Sequence, residues 1–137
     1  MATNDLVIQA LNKTKLDTRA FASIVQRKLA LLLLRELVFR TPVRTGRARG
    51  NWIVSIGQPV TETLAEGATN AEKAMSDGTA KLSEPSQIPF ATIFIQNNLP
   101  YILPLDRGHS KQAPDPPGIV EPAIALVSSL TSVTNAE

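Results

Sequence analysis

Asp106, His109 and Ser110 supply the three residue types of a hydrolytic relay, and Thr45-Gly46-Arg47 has the look of a phosphate-binding glycine loop. A serine relay needs acid, base and nucleophile in line, and residues one to four apart in a tight loop do not adopt that geometry. No Gly-x-Ser-x-Gly elbow accompanies them. A P-loop needs a second glycine and a Gly-Lys-Ser/Thr ending before a helix, whereas a strand pattern follows here. His109 is the only histidine and there is no cysteine, so a multi-histidine or thiolate metal site cannot form. The expectation is a chain without enzymatic activity and without a cofactor or metal. His109 and Ser110 then fix their own loop or touch a neighbouring subunit.

The second chemical feature is a cluster of arginines. Arg40, Arg44, Arg47 and Arg49 crowd the glycine-punctuated segment Thr41-Pro-Val-Arg-Thr-Gly-Arg-Ala-Arg-Gly-Asn-Trp52. A guanidinium donates two parallel hydrogen bonds and so suits phosphate and carboxylate alike. Nucleic-acid binding would call for interleaved aromatic residues or a groove-reading helix; only Trp52 is nearby and no such helix follows. Contact with acidic residues of a partner protein fits better, and a solvated surface fits as well.

Charge is uneven along the chain. Residues 1–50 hold ten Lys/Arg against three Asp/Glu, +7; residues 51–137 hold four against nine, −5; together they give the net +2. Such a split suits nucleic-acid contact, a head-to-tail oligomer in which one copy's basic face meets the next copy's acidic face, or two solvated surfaces.

These residues need elements to hold them. Phe21, Ile24, Val25, Leu31, Leu32, Val38 and Phe39 recur with helical spacing, so a helix is expected from about Asp17 to Phe39. Leu29 to Leu34 is apolar nearly all round, so this helix needs cover on more than one side: a sheet below and a neighbouring subunit above. Pro42 disfavours helical geometry at Thr41 and ends it. Thr41–Gly50 reads as a loop, with Gly46 free to take a positive φ. Asn51–Ile56 reads as a strand by its β-branched and aromatic content. Ala65–Lys81 reads as a short helix within a long connection, interrupted by Gly67 and Gly78, and Ser83–Pro89 as coil.

Phe90–Gln96 is the clearest strand, and Tyr101–Leu105 a short edge segment limited by Pro100 and Pro104. Gly108–Gly118 is an irregular, proline-stiffened loop. A last helix runs from Ile119 to about Leu130, with Pro122 tolerated in its first turn and the residues after it fraying. The fold class is α+β: a small, mainly antiparallel sheet with the long N-terminal helix packed across it and a C-terminal helix. One domain spans 1–137, with a variable insert at about 61–89. The longest apolar run falls far short of the ~20 residues of a membrane span, and from the first residues no secretory leader is expected.

Thr41, Pro42, Val43, Thr45, Gly46, Asn51 and Trp52, then Asn97, Asn98, Pro100, Tyr101, Leu105, Asp106, Gly108, Ser110, Gln112, Ala113, Pro114, Gly118 and Val120, stand in an order that resembles the neck or tail-completion proteins of tailed bacteriophages, the minor tail protein Z-like family. The similarity runs from about Phe21 to Leu126. Asp106 stands where Glu is usual in that family, and Asp115-Pro116-Pro117 lengthens the loop before Gly118. The resemblance implies a structural virion protein at the head–tail junction, made in the host bacterial cytoplasm, that forms or joins a ring between the portal or connector and the tail tube.

Its implied partners are other copies of itself, connector or head-completion proteins, and tail terminator or tail tube proteins. Non-specific contact with DNA in the ring lumen is compatible with that role, and no membrane is involved. The interface residues implied are Arg44, Thr45, Arg47, Arg49, Trp52, Tyr101, Asp106, Arg107, His109, Ser110, Lys111 and Gln112. The alternative is a small DNA-binding accessory protein that uses the N-terminal basic region.

Overall fold

The structure, a computed structural model, describes residues 22–43, 45–84, 91–107 and 118–135, with side chains to Leu130 in the last stretch. The first described element, α1 (22–40), buries Ala30, Leu34, Leu37 and Val38, positions that share one helical face. It stops as its sequence demands. Thr41 turns out of the helix before Pro42, and both its backbone N–H and its hydroxyl donate back to Leu37 O, at 3.2 and 2.6 Å.

Gly46 follows with φ +82°, a left-handed conformation open to glycine. The expected Thr41–Gly50 loop is not wholly irregular: Arg47–Gly50 forms a single helical turn, α2. Two bonds close it. Gly50 N–H donates to Gly46 O at 3.0 Å, and the Asn51 side chain donates to Arg47 O at 2.8 Å. A turn fixed by a side chain outside itself leaves no periodic signal in the sequence.

Strands β1 (Trp52–Ile56) and β2 (Ile93–Asn97) pair antiparallel, Trp52 opposite Asn97, Val54 opposite Ile95 and Ile56 opposite Ile93. They are the only paired strands among the described residues. The alternation of side chains puts Trp52, Val54, Ile93 and Ile95 on one face, where they join the α1 residues in the core. The expected strand start at Phe90 lies outside the described residues.

Helix α3 (Ala71–Ser83) opens on Asn70, whose side chain accepts from Lys73 N–H at 2.8 Å. Gly67, at φ +84°, lies in the turn before it. Gly78 does not interrupt α3 as expected. It sits inside the helix because a Cβ there would stand 2.3 Å from Leu34 Cδ2 and 3.2 Å from Val54 Cγ2, so glycine is what lets α3 close on α1 and β1.

The expected edge strand Tyr101–Leu105 is instead a short helix, α4 (Ile102–Asp106). Leu105 N–H donates to Tyr101 O and Arg107 N–H to Leu103 O. Pro104 falls among the first helical positions, where a missing N–H removes no intrahelical bond. The last helix, α5 (Val120–Asn135), starts as expected but continues past Leu130 rather than fraying. Its anchors are Ile119 and Ala123, both essentially inaccessible.

Candidate assembly surface

The motif residues meet in three joints. In the first, Trp52 Nε1 donates to Thr41 Oγ1 at 2.7 Å, tying the start of β1 to the end of α1. Arg49 reaches over the same corner. Its Nε donates to Thr41 O at 2.7 Å and its Nη2 to Phe39 O at 3.1 Å, with the guanidinium carbon 5.7 Å from the Phe39 ring centroid. A cation on the last carbonyls of α1 also meets the negative end of the helix dipole. Burial pushes the Arg49 pKa below its ordinary value, yet a guanidinium so lowered stays charged at neutral pH.

The second joint holds down the connection after β1. Asn51, fully buried, donates from Nδ2 to Leu64 O at 3.0 Å and accepts Leu64 N–H on Oδ1 at 2.6 Å, so its amide pairs with Leu64 as a neighbouring strand would. Arg47 Nε adds a bond to Leu64 O at 2.9 Å. Nearby, Gln96 Oε1 accepts Val60 N–H at 2.8 Å, and Asn98 Nδ2 donates to Val60 O and Glu62 O, both at 3.1 Å. Thr69 Oγ1 closes the segment by donating to Gly50 O at 2.8 Å.

The third joint is Asp106, whose Oδ1 accepts from both Ile119 N–H and Val120 N–H at 2.9 Å. Those are orphan donors at the start of α5, so Asp106 caps that helix from 13 residues away and places a carboxylate at its positive end.

The predicted interface residues therefore divide. Trp52, 6% exposed, belongs to the core and is not available to a partner on the surface of this chain. Arg47, Arg49 and Asp106 bond their own backbone. Thr45, Tyr101 and Arg107 are exposed, Tyr101 just before α4 and Arg107 at its end. Arg44, His109, Ser110, Lys111 and Gln112 lie outside the described residues. Among the described residues no group of three His, Cys, Asp or Glu could hold a metal ion, and no helix is long and apolar enough to cross a membrane.

Another surface was missed by site-by-site reading. Val25, Lys28, Leu32, Arg35 and Phe39 follow one another at spacings of three, four, three and four, and all are exposed. Ile24 flanks them, and with Phe39 it is more than half exposed. The stripe lies on the side of α1 opposite Ala30, Leu34 and Leu37. Its signal in the sequence is the all-round apolar run Leu29–Leu34, whose outer member Leu32 stays exposed. Between α1, β2 and α5 a groove of about 520 Å³ is lined by apolar side chains, among them Leu29, Leu33, Ile93, Ile95 and Ile124.

Comparison of the chain with protein-family models, with curated proteins and with solved structures returns no match. What the molecule offers on its own geometry is an interlocked body carrying an exposed apolar and basic helix face.

Proposed function

We propose that this protein is a structural component of the head–tail junction of a tailed phage, one that forms or joins a ring between the portal or connector and the tail tube. The observation that carries this reading is the exposed face of α1. A helix whose inner side is core and whose outer side shows Ile24, Val25, Leu32 and Phe39 gains stability when a neighbour covers it. Two further observations support it. The motif residues that resemble the phage neck family interlock with one another, Thr41 with Trp52 and Asp106 with Val120, as parts of one scaffold do. The basic residues 1–50 and the acidic residues 51–137 have the complementarity that a head-to-tail contact uses.

The DNA-binding alternative is weakened by the arginines themselves. Arg47 and Arg49 aim Nε at carbonyl oxygens of their own backbone, and Arg40 Nε lies 3.1 Å from Glu36. The test is electron microscopy of particles from a phage whose copy of this gene carries an early stop codon. Filled heads beside separate, finished tails are expected. Normal infectious particles would reject the reading, and salt-sensitive retention of the free chain on DNA would then favour the alternative.

A further inference from the structure

We propose that the outer face of α1 is the seat for α5 of a second copy of this chain, a head-to-tail contact in which the two helices belong to different subunits. The proposal rests on the ring reading and names the surfaces that would build it.

Helix α5 is anchored to its own body mainly through its first turns. Ile119 and Ala123 are buried, but from Ile124 to Leu130 only Val127 is even half-buried. The exposed positions include Ile124, Leu126 and Leu130, and the helix carries one charged residue, Glu121, over all of Val120–Asn135. A helix with Ile124, Leu126 and Leu130 exposed gains from further apolar cover. The exposed stripe of α1 has the matching character. It sets large apolar side chains, Val25, Leu32 and Phe39, seven residues apart, with Lys28 and Arg35 between them on the same face.

Charge and length agree. Over 22–40, Arg27, Lys28, Arg35 and Arg40 outnumber Glu36, a net +3, whereas α5 carries Glu121 and no Lys or Arg, a net −1. Within α1, Arg40 pairs with Glu36, and Arg27 donates to Leu82 O and Glu84 O, so both look inward to their own chain. Lys28 and Arg35 are the stripe's own charges, and no ion pair holds either among the described residues. The stripe from Ile24 to Phe39 is roughly 22 Å long, and α5 from Glu121 to Asn135 is about 21 Å, at 1.5 Å per residue. The two faces differ, so the contact is heterologous, and repetition of a heterologous contact closes a ring when its rotation allows.

The chain has no cysteine, so introduced thiols are its only ones. Full-length Leu32→Cys and Leu126→Cys chains, each checked for the wild-type helical signal by circular dichroism, are mixed and treated with a short bis-maleimide. The expected product is a cross-linked dimer of one chain of each kind, abundant in the mixture and scarce with either chain alone. Equal cross-linking of Leu32→Cys with itself, or a chain that stays monomeric and unlinked at high concentration, overturns the proposal. Phe39→Cys with Ile124→Cys is the second pair, should either first variant fail to fold. Lys28→Glu with Arg35→Glu is expected to weaken self-association about tenfold or more. If the chain is found at the virion junction but these pairs do not cross-link, this contact is wrong while the structural role stands.

Discussion

Trp52 and Thr41 are eleven residues apart and share one hydrogen bond, indole Nε1 to hydroxyl at 2.7 Å, inside the corner where α1 gives way to β1. Thr41 is fully buried and uses its single hydroxyl twice, donating to Leu37 O and accepting from Trp52. Thr41→Val keeps the shape and removes the acceptor, which strands a buried N–H. The expected loss is about 1–3 kcal/mol, seen as a lower urea midpoint at unchanged slope. Thr41→Ser should lose less. Equal stability of the Val and Ser variants would show that the bond does not hold the corner.

Asn51 does the work of a strand neighbour for Leu64. Asn51→Ala removes three bonds at once, and at about 1 kcal/mol each the cost is roughly 2–3 kcal/mol. The local signature is faster amide exchange at Leu64, because its N–H then has no acceptor on Asn51. Asn51→Asp should be at least as damaging, since a second oxygen would face the carbonyls of Arg47 and Leu64.

Asp106 caps α5 across the chain. Asp106→Ala is expected to cost about 0.5–2 kcal/mol, the range for losing a helix cap. Asp106→Asn keeps an oxygen acceptor and forfeits only the charge–dipole part, about 0.3–1 kcal/mol. Hydrogen exchange at Ile119 and Val120 separates this local effect from a general loss of stability. Unchanged protection there in Asp106→Ala would contradict the capping role.

Gly50 is closed in by backbone as well as by a side chain. A Cβ would stand 2.5 Å from the Thr69 side chain and 2.6 Å from Asn70 N, and backbone cannot step aside as a side-chain tip can. Gly50→Ala should therefore destabilise by about 1–3 kcal/mol, although alanine is the better helix former by about 1 kcal/mol. Thermal denaturation decides the sign.

Local chemistry made much of the fold legible. The period of Val38 and its neighbours marked α1, Pro42 ended it, β-branched content marked β1, and Gly46 took the positive φ its type allows. What escaped depends on long-range partners. Gly78 reads as a breaker until Leu34 and Val54 are seen against it. Pro100 before Tyr101–Leu105 and Pro104 within it suit a strand edge and a short helix equally. Arg47 and Arg49 read as exposed cations because nothing in spacing reveals that their targets are the carbonyls of Leu64, Thr41 and Phe39. The apolar character of α1 beyond one face was visible in Leu29–Leu34, but which residues would be left outside depended on how the helix rotates onto the sheet.

The most direct measurement is mass spectrometry of purified phage particles joined to gold labelling of this chain in electron micrographs. The account predicts the chain in mature particles at a fixed copy number, with label confined to the junction of head and tail. Mature, infectious particles that contain none of it would contradict the central claim.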